Sequence, residues 1–342
     1  MIRAHLLQMD LAWEDRGSNF AKVGSMLDGI DLGEGDLVVL PELFDSGFSL
    51  NVDRTADVAP IGRGETQGFL AALARERGVF VHGSWTGLVE PETDARGLNI
   101  AALFAPSGEE LYRYAKIHPF TYGREGERFD GGGDVVCADV PFRENESLRV
   151  CPAVCYDLRF PELFRRGLDL GAEVFVIGAN WPEARQAHWR ALSVARAIEN
   201  QAWVLCVNRV GSDPHLRYAG GSMIVDPHGN VLQEGDARER VLSAVIDTGA
   251  ARRWRDEFPA WRDRADCLRL KRPPPSARTS RASVRCDAGS SGSAGPSACA
   301  AAAALSETCH SGSEARAASP RQEAARRPAA RRPAYRLWQP AH

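Results

Sequence analysis

Three side chains in this sequence could together cleave an acyl bond: a carboxylate at Glu42 in LVVLPELFDSGF, an ammonium at Lys116 in LYRYAKIHPF, and a thiol at Cys155 in LRVCPAVCYDLRFPELF. A thiol needs a base to take its proton and a cation near the oxyanion its attack creates, so the trio points to nucleophilic catalysis by sulfur. Lys116 is the most telling. Only Lys22, Lys116 and Lys271 are lysine among 42 Lys+Arg, and a compact ammonium does what a planar guanidinium cannot. Cys155 stands where an apolar strand gives way to a helix opened by Pro161, so the helix N-terminus and the ammonium should favour its thiolate. Glu42 follows the strand LVVL and Pro41, at the strand end where open α/β sheets bind ligands, and an apolar flank would raise its pKa.

Each residue has a plainer reading: a surface lysine, a salt-bridged glutamate, an inert buried cysteine. Cys137, Cys151 and Cys206 fit that last description. His118 offers a competing Cys/His dyad, although HPF after a strand reads as a turn with nothing to orient the ring. Glu125 and Glu127, in YGREGERF, could each supply a second carboxylate. Asn180 and Trp181 end the run VFVIGAN, on the same rim as Cys155.

Alternating strand and helix patterns must position these groups. RAHLLQ, DLVVLPE and VFVHGSW read as strands, with SNFAKVGSMLDGI and TQGFLAALARERG as helices between them. A second series follows: LRVCPAV, FPELFRRGLDL, EVFVIGAN, PEARQAHWRALSVARAIENQ and AWVLCVN. Two hairpin-like units, NIAALFAPSGEELYRYAK and GSMIVDPHGNVLQEGD, each turn through Pro-x-Gly and hint at an internal repeat. In the longest helix, Trp189, Leu192, Ala195 and Ile198 recur every three residues as a core-facing stripe. The class is α/β, with sheets covered by helices.

The 342 residues carry a net charge of −3. From Lys271 onward the chain lacks Ile, Phe, Met and Asn and holds 12 Lys/Arg against 4 Asp/Glu, so the first 270 residues carry −11 and the remainder +8. A domain at 1–267 followed by a low-complexity tail at 268–342 is expected, the tail being a disordered solvated extension or an out-of-frame translation of GC-rich DNA. An acidic body argues against nucleic acid as a partner. No run approaches a membrane span, and the N-terminus lacks the pattern of a signal peptide, which predicts a cytoplasmic protein. Eight cysteines at irregular spacing, with no CxxC pair, predict free thiols and no structural metal.

PELFDSGFS, YAKIHPF, CPAVCYDLRFPELFR, GANWP and ARAIENQ occur in that order, and over about residues 2–265 the chain resembles the nitrilase superfamily of carbon–nitrogen hydrolases. Within it the likeness is greatest to the Nit-type branch that includes the omega-amidases, which deaminate small dicarboxylic monoamides such as 2-oxoglutaramate. The resemblance implies a four-layer α-β-β-α sandwich, usually a homodimer formed through the helix after the nucleophile. It also implies Glu42 as general base, Lys116 and the backbone N–H of Tyr156 as oxyanion donors, Cys155 as nucleophile, Glu125 or Glu127 as second glutamate, and no cofactor. Arg159 would meet a distal substrate carboxylate, and Trp181 and Tyr122 would wall the pocket. Sibling activities on N-carbamoyl compounds, aliphatic amides or nitriles share these residues. A catalytically silent scaffold is the alternative of another class.

Overall fold

The computed structural model describes residues 1–57, 64–88, 96–143 and 146–265. The expected boundary at 267 and the tail beyond it lie outside the described residues.

One sheet is built from β1 (Ile2–Gln8), β2 (Leu37–Val39), β3 (Phe80–Gly87), β4 (Gly97–Phe104), β5 (Glu110–Ala115) and the short β6 (Phe129–Asp130). The other uses β7 (Ala138–Arg143), β8 (Glu146–Val154), β9 (Val174–Ala179) and β10 (Trp203–Asn208). A separate hairpin of β11 (Val210–Ser212) and β12 (Arg217–Ala219) follows, then β13 (Met223–Val225), β14 (Val231–Glu234) and β15 (Arg240–Ile246). The first sheet runs β15-β1-β2-β3-β4-β5 with β6 beside β4, and the second runs β14-β13-β10-β9-β8-β7. Each has three parallel central strands flanked by antiparallel ones.

Period-two alternation sets the layers. Leu37 and Val39 of β2 face the other sheet, in a core shared with Val174, Val176 and Leu205. Val38 and Leu40 face the opposite way, onto Val23 and Leu27 of α1 (Arg16–Asp28). After the single turn α2 (Val52–Thr55), α3 (Glu65–Arg77) adds Leu70, Leu73 and Ala74 to that second core. On the far side, Leu163 and Phe164 of α4 (Pro161–Asp169) and Trp189 and Ala197 of α5 (Gln186–Asn200) cover the second sheet. A last helix, α6 (Ala250–Glu257), follows β15. The order of layers is α-β-β-α, because each sheet has two apolar faces and each helix one. Among the described residues no helix is long and apolar enough to cross a membrane.

The two Pro-x-Gly hairpins close alike. Gly108 N–H donates to Ala105 O and Gly229 N–H to Asp226 O, with φ of 81° and 89° that only glycine adopts freely. One hairpin is β4–β5 in the first sheet, the other β13–β14 in the second, so the repeat read from the sequence is a pair of equivalent edges.

The stripe expected on α5 is only partly right. Its buried residues are Trp189, Ser193, Arg196, Ala197 and Asn200, whereas Ile198 is 53% exposed. A spacing of three lags the 3.6-residue turn, so a stripe that starts on the core at Trp189 has rotated out to solvent by Ile198.

Candidate active site

Both sheets deliver chemistry at one end. Glu42 lies just beyond β2, Cys155 just beyond β8 and Asn180 just beyond β9, while Lys116 follows β5. The sheets touch closely there: a Cβ on Gly178 would lie 3.0 Å from Glu42 N, 3.1 Å from Leu40 O and 3.2 Å from Pro41 C. These are backbone atoms, which cannot swing aside. Gly178→Ala is therefore expected to push the Glu42 segment outward by a few tenths of an ångström and to lower kcat by less than the roughly 100-fold that misplacing a reacting group by about 1 Å costs; steady-state kinetics beside an unchanged circular dichroism spectrum would check it.

Glu42, Lys116 and Glu125 form a buried cluster, each at most 1% exposed. Lys116 Nζ donates to Glu42 Oε1 at 2.8 Å and to Glu125 Oε1 and Oε2 at 3.0 and 2.8 Å. Asn99, in the middle of β4, donates through Nδ2 to Glu42 Oε1 at 2.8 Å and to Glu125 Oε1 at 3.1 Å, tying the carboxylates together. Asn180 N–H donates to Glu42 Oε2 at 2.9 Å, and its Nδ2 to the Glu42 carbonyl at 2.7 Å. The Cys155 thiol hydrogen-bonds to the Glu42 carboxylate.

Two electrostatic expectations are corrected by these contacts. Burial pushes the Glu42 carboxyl up, but the Lys116 charge and the hydrogen bonds from Lys116, Asn180 and Cys155 outweigh it, and its pKa lies below the ordinary glutamate value. Burial pushes the Cys155 thiol well up, and the adjacent Glu42 charge adds to this more than Lys116 relieves it. At rest the sulfur is a thiol beside a carboxylate, not a free thiolate. One ammonium already faces two carboxylates, and a third anion has no charge to answer it.

Cys155 sits in the left-handed region at φ 44°, in the 3-10 turn Cys155–Arg159 between β8 and α4. Asp157 braces this elbow: its Oδ2 accepts from Val154 N–H at 2.9 Å and from the Tyr114 hydroxyl at 2.7 Å, and its Oδ1 from His118 N–H at 3.1 Å. Arg196 of α5 donates to the Leu158 carbonyl at 2.7 Å, holding the turn from behind. His118 has an orienting partner after all, since Nδ1 lies 2.8 Å from Asp157 Oδ1 and the ring stacks on Phe160 at 3.7 Å. The imidazole is thereby used beside the elbow and does not form the dyad with Cys155. Glu127 is on the surface, paired with Arg124 at 2.7 Å, so Glu125 is the carboxylate brought to Lys116.

Over Cys155 opens a narrow cleft lined by Phe48, Phe120, Tyr156, Trp181, Arg159 and Arg185, among others. The Arg159 guanidinium lies over the Trp181 ring at 4.7 Å and the Arg185 guanidinium over the Tyr122 ring at 4.9 Å. Among the described residues neither is paired with a carboxylate. Tyr122 is 79% exposed and borders an adjoining outer cleft that shares Phe48, Phe120, Arg185 and Leu216 with the inner one, so it walls the approach rather than the floor.

The family model for carbon-nitrogen hydrolases matches residues 3–256. The chain belongs to the carbon–nitrogen hydrolase family. Omega-amidase YafV of Escherichia coli (strain K12) is 35% identical over 271 residues, covering 79% of this chain and 98% of that protein. The 2-oxoglutaramate amidase of Bacillus subtilis (strain 168) is 33% identical over 258 residues, 75% and 95% of the two chains. The crystal structure of XC1258 from Xanthomonas campestris, a CN-hydrolase superfamily protein with an arsenic adduct in its active site, matches with a TM-score of 0.69 at 33% identity, covering 77% of this chain and 97% of that one.

For a carbon–nitrogen hydrolase, the side chains that sequence reasoning passed over are Asn99, Asp157 and Arg185. Asn99 is hidden in a hairpin strand whose pattern needs no amide, and Asp157 in a motif dominated by Cys155. Arg185 carried a usable signal: it stands four residues after Trp181, just before the long helix.

Proposed function

We propose that this chain is a thiol-dependent amidase acting on small dicarboxylic monoamides of the omega-amide type, 2-oxoglutaramate among them. The observation that carries the reading is a buried Glu42–Lys116–Glu125 cluster in contact with the Cys155 thiol, beneath a cleft with two guanidinium groups that no carboxylate of the described chain neutralises. The relatives named omega-amidase and 2-oxoglutaramate amidase support the substrate class.

In this reading Cys155 Sγ attacks the amide carbonyl while its proton passes to Glu42. Lys116 at rest spends its N–H groups on Glu42 and Glu125. Protonating Glu42 weakens its hold on the ammonium and leaves a donor for the new oxyanion, beside the backbone N–H of Tyr156 at the start of the turn. Each such donor contributes on the order of 10²–10³ in rate. Glu42 then gives the proton to the departing nitrogen, ammonia leaves, and a thioester remains. Water replaces ammonia, Glu42 takes its proton, and collapse of the second tetrahedral intermediate releases the acid and returns the proton to sulfur. Glu125 and Asn99 keep the ammonium in place. The family's homodimer would form through α4, the helix after the nucleophile.

Glu42 must be ionised to act, and its folded-state pKa is lowered, so the acid limb of kcat/KM is expected below the ordinary glutamate value of about 4.3. The thiol is raised, so no alkaline limb from Cys155 is expected near neutrality. An acid limb near 6.5 would instead point to an imidazole.

Removing the guanidinium in Arg159→Ala is expected to raise KM for 2-oxoglutaramate on the order of 10–100-fold, with Arg185→Ala acting in the same direction, while hydrolysis of uncharged butyramide changes little. Ammonia release from 2-oxoglutaramate, succinamate, glutamine, N-carbamoyl amino acids and simple nitriles tests the function as a whole. Turnover confined to the omega-amides supports the reading, and turnover only of nitriles or N-carbamoyl compounds overturns the substrate class.

A further inference from the structure

Cys137 and Cys151 lie outside the catalytic cluster, and their placement is unusual. In the antiparallel pairing of β7 with β8, Ala138 is opposite Val150, so one step outward Cys137 is opposite Cys151. Directly opposed residues of such a ladder have Cα atoms about 4.5–5.5 Å apart, within the about 4.4–6.8 Å that a disulfide spans. The two thiols also hydrogen-bond to each other. Both pack on the side of the second sheet that α4 covers: a Cβ on Gly167 would lie 2.9 Å from Cys151 Sγ, and Cys137 Sγ reaches the Gly167 carbonyl at 3.8 Å.

The pair is asymmetric. Cys151 is fully buried and its thiol is pushed well up by burial, whereas Cys137 is half-buried, contrary to its expected burial, and is pulled down by the hydrogen bond from Cys151 and by nearby Arg149 and Arg166. An outer thiol that ionises and an inner one that resolves are the two halves of a thiol–disulfide exchange site.

We propose that Cys137 and Cys151 form a redox site, closing reversibly to a cross-strand disulfide on reaction with a low-molecular-weight disulfide. The Cys137 thiolate attacks one sulfur of the oxidant, joining to it and expelling the other half as a thiolate. Cys151 loses its proton and attacks Cys137 Sγ, which breaks the mixed disulfide and expels the second half. Two protein thiols are oxidised, one disulfide is reduced to two thiols, and the protons go to them. The site uses none of the groups assigned to amide hydrolysis.

The full chain would be incubated with oxidised glutathione, alkylated under denaturing conditions and digested with trypsin without reductant. The expected product is peptide 129–143 joined to peptide 150–159, with fragment ions placing the bridge on Cys151 and leaving Cys155 alkylated or glutathionylated. Dithiothreitol should release it, and in Cys137→Ser no bridge should form and Cys151 should remain alkylated. Glutathione held on Cys137 with Cys151 still alkylated, a bridge to any other cysteine, or both thiols unreacted would overturn the proposal.

Discussion

Cys155→Ala is expected to abolish ammonia release, by a factor on the order of 10⁵–10⁶ as for removal of other enzyme nucleophiles, while leaving the fold intact. The thiol is 8% exposed at the floor of the cleft, and Ala differs from Cys only by the sulfur. Little packing is lost, and a proton donor next to a carboxylate already satisfied by Lys116, Asn99 and Asn180 is not needed for stability. The melting temperature should therefore stay within a few degrees of the parent while activity vanishes. Cys155→Ser keeps the volume but replaces the thiol with a less acidic hydroxyl that Glu42 deprotonates poorly, so it should be nearly as inactive. Ammonia assays and thermal melts on the same preparations separate loss of chemistry from loss of fold.

Lys116→Met is expected to injure both. Removing one partner from a buried charge cluster costs about 3–5 kcal/mol, because Glu42 and Glu125 are left facing each other without a cation. In the proposed mechanism an oxyanion donor is lost as well, about 10²–10³ in rate. A further readout distinguishes this from general damage. Glu42 is held low by Lys116 against burial, so in the variant its pKa must rise, and the acid limb of any residual kcat/KM should move upward with it. A variant that keeps the parental acid limb would mean that Lys116 does not set the ionisation of Glu42. Lys116→Arg should not rescue, since the site seats a single nitrogen within 2.8–3.0 Å of three carboxylate oxygens and has no room for a planar fork.

Much of the architecture was legible because the central strands are unbroken apolar runs. The run Leu37, Val38 and Val39 is enough to say that β2 is covered on both sides. Glu42, Lys116 and Cys155 were legible from their places at the ends of runs. The ionisation of those groups was not, because it depends on partners distant in sequence: Asn180 reaches Glu42 across 138 positions and Lys116 across 74. Reading Glu42 as raised and Cys155 as a thiolate followed from one flank of each residue, and both inverted once all the neighbours were present. Glu125 and Glu127 are two residues apart on one tight turn, and which of them points inward is fixed by the left-handed Arg124 and the Phe120 N–H that donates to Glu125, neither visible in the local pattern. Ile198 shows the limit of counting every third residue along a helix that turns every 3.6. The facing of Cys137 and Cys151 required the register of β7 on β8, which a hairpin's sequence leaves open.

Hydrolysis is expected to pass through an acyl group on Cys155. Hydroxylamine added during turnover of succinamate, an omega-amide without a ketone to trap the reagent, measures this directly. A thioester intermediate predicts that the succinyl hydroxamate forms at the expense of succinate in proportion to hydroxylamine, and that neither product forms with Cys155→Ala. Ammonia released with succinate as sole product at every hydroxylamine concentration would contradict it.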